Sequence, residues 1–201
     1  NGICHYQFFE RFAEPGTVEL GADSHSTSGG AMGAFALGVG GLDVATALAG
    51  YPFWLRTPQV VEVRLQGQLE PWVSAKDVVL ELLRRYRVTW GTQVAGAGGI
   101  MVLEFTGPGV RTLNMFQRMT IANMSAEMNA TAIFPSDERT REFLRIQRRE
   151  DQFVELQADE DAKYDLSVEI DLNNVEPLIA CPSSPDNVVP VREVEGTPVA
   201  Q

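Results

Sequence analysis

Residues 21–41, GADSHSTSGGAMGAFALGVGG, place an acid, a serine and a histidine side by side, ahead of a run of small residues. The stretch TVELGADSH predicts a strand that carries Asp23 and His25 on one face, because alternate side chains of a strand share a face. The glycine-rich remainder predicts a helix that opens after this strand and runs to about residue 50, where Tyr-Pro breaks it. A strand that feeds a helix in this way is typical of an α/β fold.

The flanking sequence continues the alternation of strands and helices. Ser74 and Asp77 stand at the N-cap and third helical position of a strongly amphipathic stretch, which predicts a capped helix there. The other periodic segments predict a helix at 2–13, strands at 59–69, 99–106 and 166–172, a helix followed by a strand at 120–135, a surface helix and loop at 149–165, and a proline-rich extended tail at 181–201. The pattern predicts the α/β class.

Composition excludes several classes of function. A chain of 201 residues with 44% hydrophobic residues can bury a core of one or two domains. Its formal charge of -11 argues against a nucleic-acid partner, which needs clustered Lys and Arg. The sequence has no long apolar run and no visible export signal, so we expect no membrane association and a cytoplasmic location. The two cysteines, Cys4 and Cys181, have no C-x-x-C spacing, which argues against a disulfide framework or a zinc site.

The acid and the histidine of residues 23–25 suit general acid–base chemistry. A carboxylate beside an imidazole favours the imidazolium and fixes its orientation, and a helix start rich in Ser, Thr and Gly is a natural anion site. Two interpretations carry equal weight from spacing alone: an active site, or a hydrogen-bonded strand end before a tightly packed helix. A serine hydrolase is disfavoured because the G-x-S-x-G pattern is absent, and a P-loop is excluded because no G-K-[ST] follows.

Three further residues could belong to the same site. His5 is the only other histidine, and a lone histidine is more often a packed or exposed residue than a catalyst. Asn123 and Glu127 are four residues apart and so share the face of a predicted helix. Spacing alone favours a routine surface pair, whereas the small apolar neighbours suit a buried helix.

Four segments carry a resemblance to a known family. They are NGICH at 1–5, GADSHSTSGGAMGAFALGVGGLDVATALAGYPFW at 21–54, TGPGV at 106–110 and IANMSAEMNATAIFP at 121–135. Together they resemble the aconitase superfamily, which includes aconitase, homoaconitase and the large subunit of isopropylmalate isomerase. The resemblance runs in order along essentially the whole chain, and residues 40–54 and 57–69 look closer to aconitase itself.

The resemblance implies a partial aconitase-like fold of layered sheet and helices. It divides the chain into the end of a first domain at 1–56, a second domain at 57–176 and the start of a third at 177–201. It also implies a lyase that isomerises a hydroxy-tricarboxylate of the citrate or isocitrate type, as in the tricarboxylic acid cycle. Dehydration and rehydration would take place at a 4Fe-4S cluster with one open iron.

The resemblance also implies roles for individual residues. His5 and Asp23 would form one histidine–carboxylate pair, and His25 and Glu127 a second, near the hydroxyl that leaves as water. Ser24 would contact a substrate carboxylate, and Asn123 would belong to the polar surroundings of the cluster.

The chain also departs from the family pattern. The family's three cluster cysteines are absent, and Cys4 and Cys181 match no ligand position, so we expect the isolated chain to bind no cluster and to be inactive. We expect a fragment or a natural truncation, active only with the remaining segments of the enzyme or a partner subunit. A non-catalytic remnant that binds carboxylates without iron is the alternative. Tyr6 replaces a glutamine that often follows the histidine, which leaves the hydroxy-acid substrate open.

Overall fold

The computed structural model describes residues 2–198 and shows an α/β architecture. The helices are α1 (Cys4–Arg11), α2 (Gly41–Leu48), α3 (Ala75–Tyr86), α4 (Trp90–Ala95), α5 (Met115–Met124) and α6 (Glu138–Ile146). The strands are β1 (Val18–Gly21), β2 (Phe35–Gly38), β3 (Gln59–Gln66), β4 (Met101–Thr106), β5 (Ala130–Ile133), β6 (Leu166–Asp171), β7 (Leu178–Ala180) and β8 (Val188–Pro190). Short 3₁₀ turns join several of these elements, and one 3₁₀-helix, Ser24–Met32, is nine residues long. We call it the long 3₁₀-helix.

A four-stranded parallel sheet forms the centre of the molecule, in the order β5-β4-β3-β6. Helices α3 and α5 connect its strands as crossovers, as parallel pairing requires. Strand β3 is central, and its alternate residues Val61, Val63 and Leu65 are fully buried. The strands predicted at 59–69, 99–106 and 166–172 are confirmed, as is the strand that ends the stretch 120–135.

The capped helix predicted from Ser74 and Asp77 is confirmed as α3. Asp77 accepts hydrogen bonds from the Ser74 backbone N–H at 2.7 Å and from the Ser74 hydroxyl at 2.8 Å. This satisfies a donor that the first turn of a helix leaves unpaired. The second oxygen of Asp77 accepts from the Leu178 N–H at 2.8 Å, so the same carboxylate ties β7 to the helix start.

The opening stretch folds differently from the prediction. Strand β1 ends at Gly21, and Asp23 then acts as the N-cap of the long 3₁₀-helix by accepting a hydrogen bond from the His25 N–H at 2.8 Å. Asp23 and His25 are therefore not alternate residues of a strand. The predicted continuous helix to residue 50 is also wrong: Gly33, with a left-handed φ of 87°, ends the 3₁₀-helix, and β2 follows before α2.

Two other predictions need correction. The stretch 149–165 has no α-helix: it contains a short 3₁₀ turn at Glu150–Gln152 and a single β-bridge from Leu156 to Ser136, and the amphipathic helix α6 lies before it. The tail is not extended throughout: its strand β8 pairs with β7 in an antiparallel hairpin, but a 3₁₀ turn follows at Val191–Val194. Residues 199–201 of the predicted tail lie outside the described residues. Within residues 2–198, none of the helices has the length and apolarity that crossing a membrane requires.

The amino-terminal part packs closely against the central sheet. The Thr27 hydroxyl donates to the Ala122 carbonyl of α5 at 2.7 Å, and the Phe134 N–H donates to the Gly30 carbonyl at 2.9 Å. Buried apolar side chains from α1 to β8 form one contiguous cluster. The domain boundaries at residues 56 and 176 stay a prediction.

Gly30 provides a test of this packing. A Cβ at this position would lie 1.7 Å from the Ala132 carbonyl oxygen of β5, a backbone atom that cannot move aside. We expect Gly30→Ala to lower the free energy of unfolding by roughly 1–3 kcal/mol or more, the range seen for overpacked cores. Gly41→Ala is the control, because a Cβ there meets no atom within 4 Å. Urea unfolding of both variants measures the difference, and equal stabilities would contradict the close approach.

Candidate active site

The first histidine–carboxylate contact joins α1 to the start of the long 3₁₀-helix. His5 lies in the first turn of α1, and its Nε2 is 3.1 Å from Oδ1 of Asp23. The His5 side chain is 19% exposed and that of Asp23 is 55% exposed, so the pair lies at the surface of the described part of the chain. The structure thus brings these two residues together across 18 positions of sequence.

Asp23 also organises the turn that carries the second histidine. Its Oδ1 accepts the His25 N–H, and the pKa of its carboxyl is lowered mainly by this hydrogen bond, with desolvation opposing and the positive charges on His5 and His25 contributing further. The helix start that was expected to bind an anion therefore already uses the His25 N–H to hold the Asp23 carboxylate. Asp23 remains ionised across the neutral range and can stabilise a charged imidazole.

The second contact joins the long 3₁₀-helix to the segment after α5. His25 Nε2 lies 3.2 Å from Oε1 of Glu127, which belongs to the 3₁₀ turn Ser125–Met128. Nδ1 of the same ring lies 3.0 Å from the Ser24 hydroxyl. Both ring nitrogens of His25 therefore have a polar neighbour, which fixes the orientation of the ring.

Asn123 holds the backbone that carries His25. Its amide donates to the Ser28 hydroxyl at 2.9 Å and approaches the His25 carbonyl oxygen at 3.5 Å, while the Ser28 hydroxyl donates to that same carbonyl at 2.7 Å. Asn123 thus contacts the backbone of His25 and the Ser28 side chain rather than the imidazole ring. The sequence did not single out Ser28, although a serine three residues after His25 is a usual partner for that carbonyl.

The two pairs lie next to each other. The rings of His5 and His25 have their centroids 6.4 Å apart and their planes tilted by 51°. Oδ1 of Asp23 lies 3.1 Å from His5 and 3.9 Å from His25, and Glu127 is 3.2 Å from His25. An imidazole beside a carboxylate is a suitable general acid or base. Gly38 makes room for the turn, since a Cβ there would lie 2.7 Å from Cα of Ser24.

Comparison with known proteins decides the family. A family model described as the aconitase family (aconitate hydratase) matches residues 1–201. The chain belongs to the aconitase family. Its relatives in that family carry several different names.

The aconitase-family chain is 42% identical over 201 residues to the 3-isopropylmalate dehydratase large subunit 2 of Archaeoglobus fulgidus, covering 100% of this chain and 47% of the relative. It is 42% identical over 202 residues to a probable methanogen homoaconitase large subunit of Methanosarcina mazei, covering 100% of this chain and 50% of the relative. It is 40% identical over 201 residues to the mitochondrial aconitate hydratase of Schizosaccharomyces pombe, covering 96% of this chain and 25% of the relative.

The chain therefore spans half or less of the length of these relatives. The identities of 40% to 42% do not separate the three names. The family is established, and the preference for aconitase over the other members stays a prediction.

The described residues do not by themselves fit the 4Fe-4S cluster that the family resemblance implies. Such a cluster is held by several cysteine thiolates, whereas this chain has two cysteines, Cys4 on α1 and Cys181 after β7. In the part of the chain from residue 2 to 198, no three His, Cys, Asp or Glu side chains are grouped to hold a metal ion.

A separate cavity of about 990 Å³ lies away from the histidines. It is lined by the ends of β4 and β5 and the residues that follow them, such as Pro108 and Asp137, together with Gly33 and residues 155–158. None of the six candidate site residues lines this cavity. The acid–base groups and the cavity are thus two different features of the fold.

Proposed function

We propose that this chain supplies the histidine–carboxylate half of the active site of an aconitase-family hydro-lyase. The observation that carries the proposal is the pair of neighbouring imidazoles, 6.4 Å apart, with Asp23 paired to His5 and Glu127 to His25. A hydroxyl group leaves a hydroxy-acid as water only when it receives a proton, and a carboxylate-stabilised imidazolium is a suitable donor at neutral pH.

The proposed roles divide the two nitrogens of the His25 ring. Glu127 holds Nε2. Nδ1 exchanges the proton, next to the Ser24 hydroxyl at 3.0 Å and Oδ1 of Asp23 at 3.9 Å. Ser24 binds a substrate carboxylate. Asp23 fixes His5, which acts as the second acid–base group.

Asn123 takes a positioning role in this proposal. Its amide donates to the Ser28 hydroxyl, which in turn donates to the His25 carbonyl. Asn123 therefore helps to fix the backbone position of His25. The resemblance also implies that Asn123 belongs to the polar surroundings of the cluster, and this role is part of the proposal.

The substrate and the remaining parts of the enzyme are also proposed. The substrate is a small hydroxy-acid with two or more carboxylates, and citrate or isocitrate is the finer form of that proposal. The cluster ligands and the other catalytic groups come from further segments of a longer chain or from a partner subunit. Two relatives are named as large subunits, which supports a partner subunit.

The test is hydration of an alkene acid by the complete protein. After anaerobic reconstitution with iron and sulfide, we expect the complete protein to consume cis-aconitate or the alkene derived from 3-isopropylmalate or homocitrate, measured by loss of alkene absorbance. The 201-residue chain alone is the control, and we expect no turnover from it. Binding of these acids without any turnover by the reconstituted complete protein would instead support the carboxylate-binding module.

A further inference from the structure

A buried acid lies on the strand that leads into the candidate site. Glu19 is on β1, is 8% exposed, and pairs in register with Ala36 of β2. Neither of its carboxylate oxygens has a hydrogen-bond partner among the described residues. A buried carboxyl without a partner is costly, so its place in the fold calls for a physical explanation.

One side of Glu19 touches the long 3₁₀-helix. A Cβ built on Gly29 would lie 1.7 Å from Oε2 of Glu19, so the carboxyl group packs against the bare backbone of that glycine. Gly29 directly follows Ser28, whose hydroxyl binds the His25 carbonyl. The Glu19 carboxyl therefore supports the same turns of helix that carry His25.

Arg149 connects the surroundings of Glu19 to the end of α1. The Arg149 guanidinium lies near Glu19, and its two terminal nitrogens donate to the Glu10 carbonyl at 3.0 Å and the Ala13 carbonyl at 2.7 Å. Helix α1 carries His5 in its first turn. Glu19 thus packs against the helix that carries His25 and interacts, through the charge of Arg149, with the helix that carries His5.

Glu19 changes charge near neutral pH. Burial raises the pKa of its carboxyl to about 7. The nearby Glu14 backbone N–H, the positive charge of Arg149 and the nearby Thr17 hydroxyl lower this pKa, while the Glu14 carboxylate raises it. These are the charged and polar groups that face Glu19 from the loop after α1 and from the segment after α6. Neither of the two polar neighbours has the geometry of a hydrogen bond to Glu19, and the Thr17 hydroxyl donates to the Glu14 carbonyl instead.

We propose that Glu19 is a positioning residue whose ionisation changes the placement of His5 relative to His25; this inference rests on the proposed function of the two histidines. In the neutral form, the carboxyl group packs against Gly29 and leaves Arg149 to hold the end of α1. In the ionised form, it attracts Arg149 away from the two carbonyls. Helix α1 then loosens, and with it the contact between His5 and Asp23.

The test compares the pH dependence of turnover in the complete enzyme with that of Glu19→Gln. Because the neutral fraction of a group with a pKa near 7 falls about fivefold between pH 7 and pH 8, we expect kcat of the unaltered enzyme to fall about fivefold over this range. Glu19→Gln is permanently neutral, so its kcat is expected to stay level, with KM unchanged. Glu160→Gln removes an exposed acid and is expected to retain the decline. An unaltered decline in Glu19→Gln would overturn the proposal.

A second measurement does not depend on activity. Crystal structures of the complete protein at pH 6 and pH 8 are expected to show a longer His5–Asp23 distance at the higher pH, and no such change in Glu19→Gln. Glu19→Leu replaces the glutamine variant if that variant does not fold. Distances that are the same at both pH values would overturn the proposal. If the complete protein lacks hydro-lyase activity but the distance changes with pH, the proposed function fails while the positioning role stands.

Discussion

Replacing Glu127 by glutamine is expected to lower the turnover of the complete enzyme by about a hundredfold to ten-thousandfold, the usual loss for a positioned acid–base group. Oε1 of Glu127 lies 3.2 Å from Nε2 of His25, where a carboxylate stabilises a positively charged ring. A neutral amide of the same size keeps the contact but loses that stabilisation. We therefore expect kcat to fall while KM and the melting temperature stay nearly unchanged, measured by steady-state kinetics on the alkene acid that the enzyme accepts and by thermal unfolding.

The control is the same substitution at an acid outside the site. Glu142 is exposed and forms an ion pair with Arg145 on α6. Glu142→Gln is expected to change stability by no more than about 0.5 kcal/mol and to leave turnover intact. If Glu127→Gln behaves like this control, Glu127 is a surface residue of the kind that its spacing from Asn123 alone favoured, and the pairing with His25 has no catalytic role.

Local sequence signals predicted the elements that are determined by neighbouring residues. Helix α3 was predicted from the capping residues Ser74 and Asp77 and from the helical spacing of the apolar residues that follow them. A capping box and an amphipathic face both act within a few residues of the chain. Strand β3 follows from strict alternation for the same reason. Both were predicted within a few residues of their observed bounds.

The long 3₁₀-helix and β2 could not be predicted in this way. Their conformation depends on contacts with distant residues, such as the Phe134 N–H that binds the Gly30 carbonyl and the Thr131 hydroxyl that binds the Ala36 carbonyl. A run of small residues has no apolar period of its own, so nothing local distinguishes a 3₁₀-helix and a strand from one continuous α-helix.

The candidate site shows the same limit. Asn123 lies at the end of α5, and Glu127 lies on the 3₁₀ turn that follows it. Both side chains reach the long 3₁₀-helix, Glu127 at His25 and Asn123 at Ser28. Their spacing indicated a shared face but not which residues this face contacts. Spacing could not reveal a contact between residues 102 positions apart. The family resemblance suggested that contact, and the catalytic roles of these residues stay proposals.

Arg118 carries the largest stability effect that we expect. Its side chain is fully buried, and it forms a two-point contact with Asp137, whose two oxygens lie 3.0 Å and 2.7 Å from the guanidinium nitrogens. The same nitrogens donate to the Pro135 carbonyl at 3.1 Å and the Val110 carbonyl at 3.2 Å. One buried cation thus joins the turn after β4, the turn after β5 and the start of α6.

Arg118→Met is expected to lower the free energy of unfolding by about 3–5 kcal/mol, because it leaves the Asp137 carboxylate and two carbonyls without their donor. Arg118→Lys keeps the charge but cannot reach both oxygens of Asp137, so it should recover only part of the loss. Arg145→Met breaks an exposed ion pair and is expected to cost no more than about 1 kcal/mol. Urea unfolding of the three variants ranks them. A loss in Arg118→Met as small as that in Arg145→Met would show that the three segments hold together through apolar packing alone.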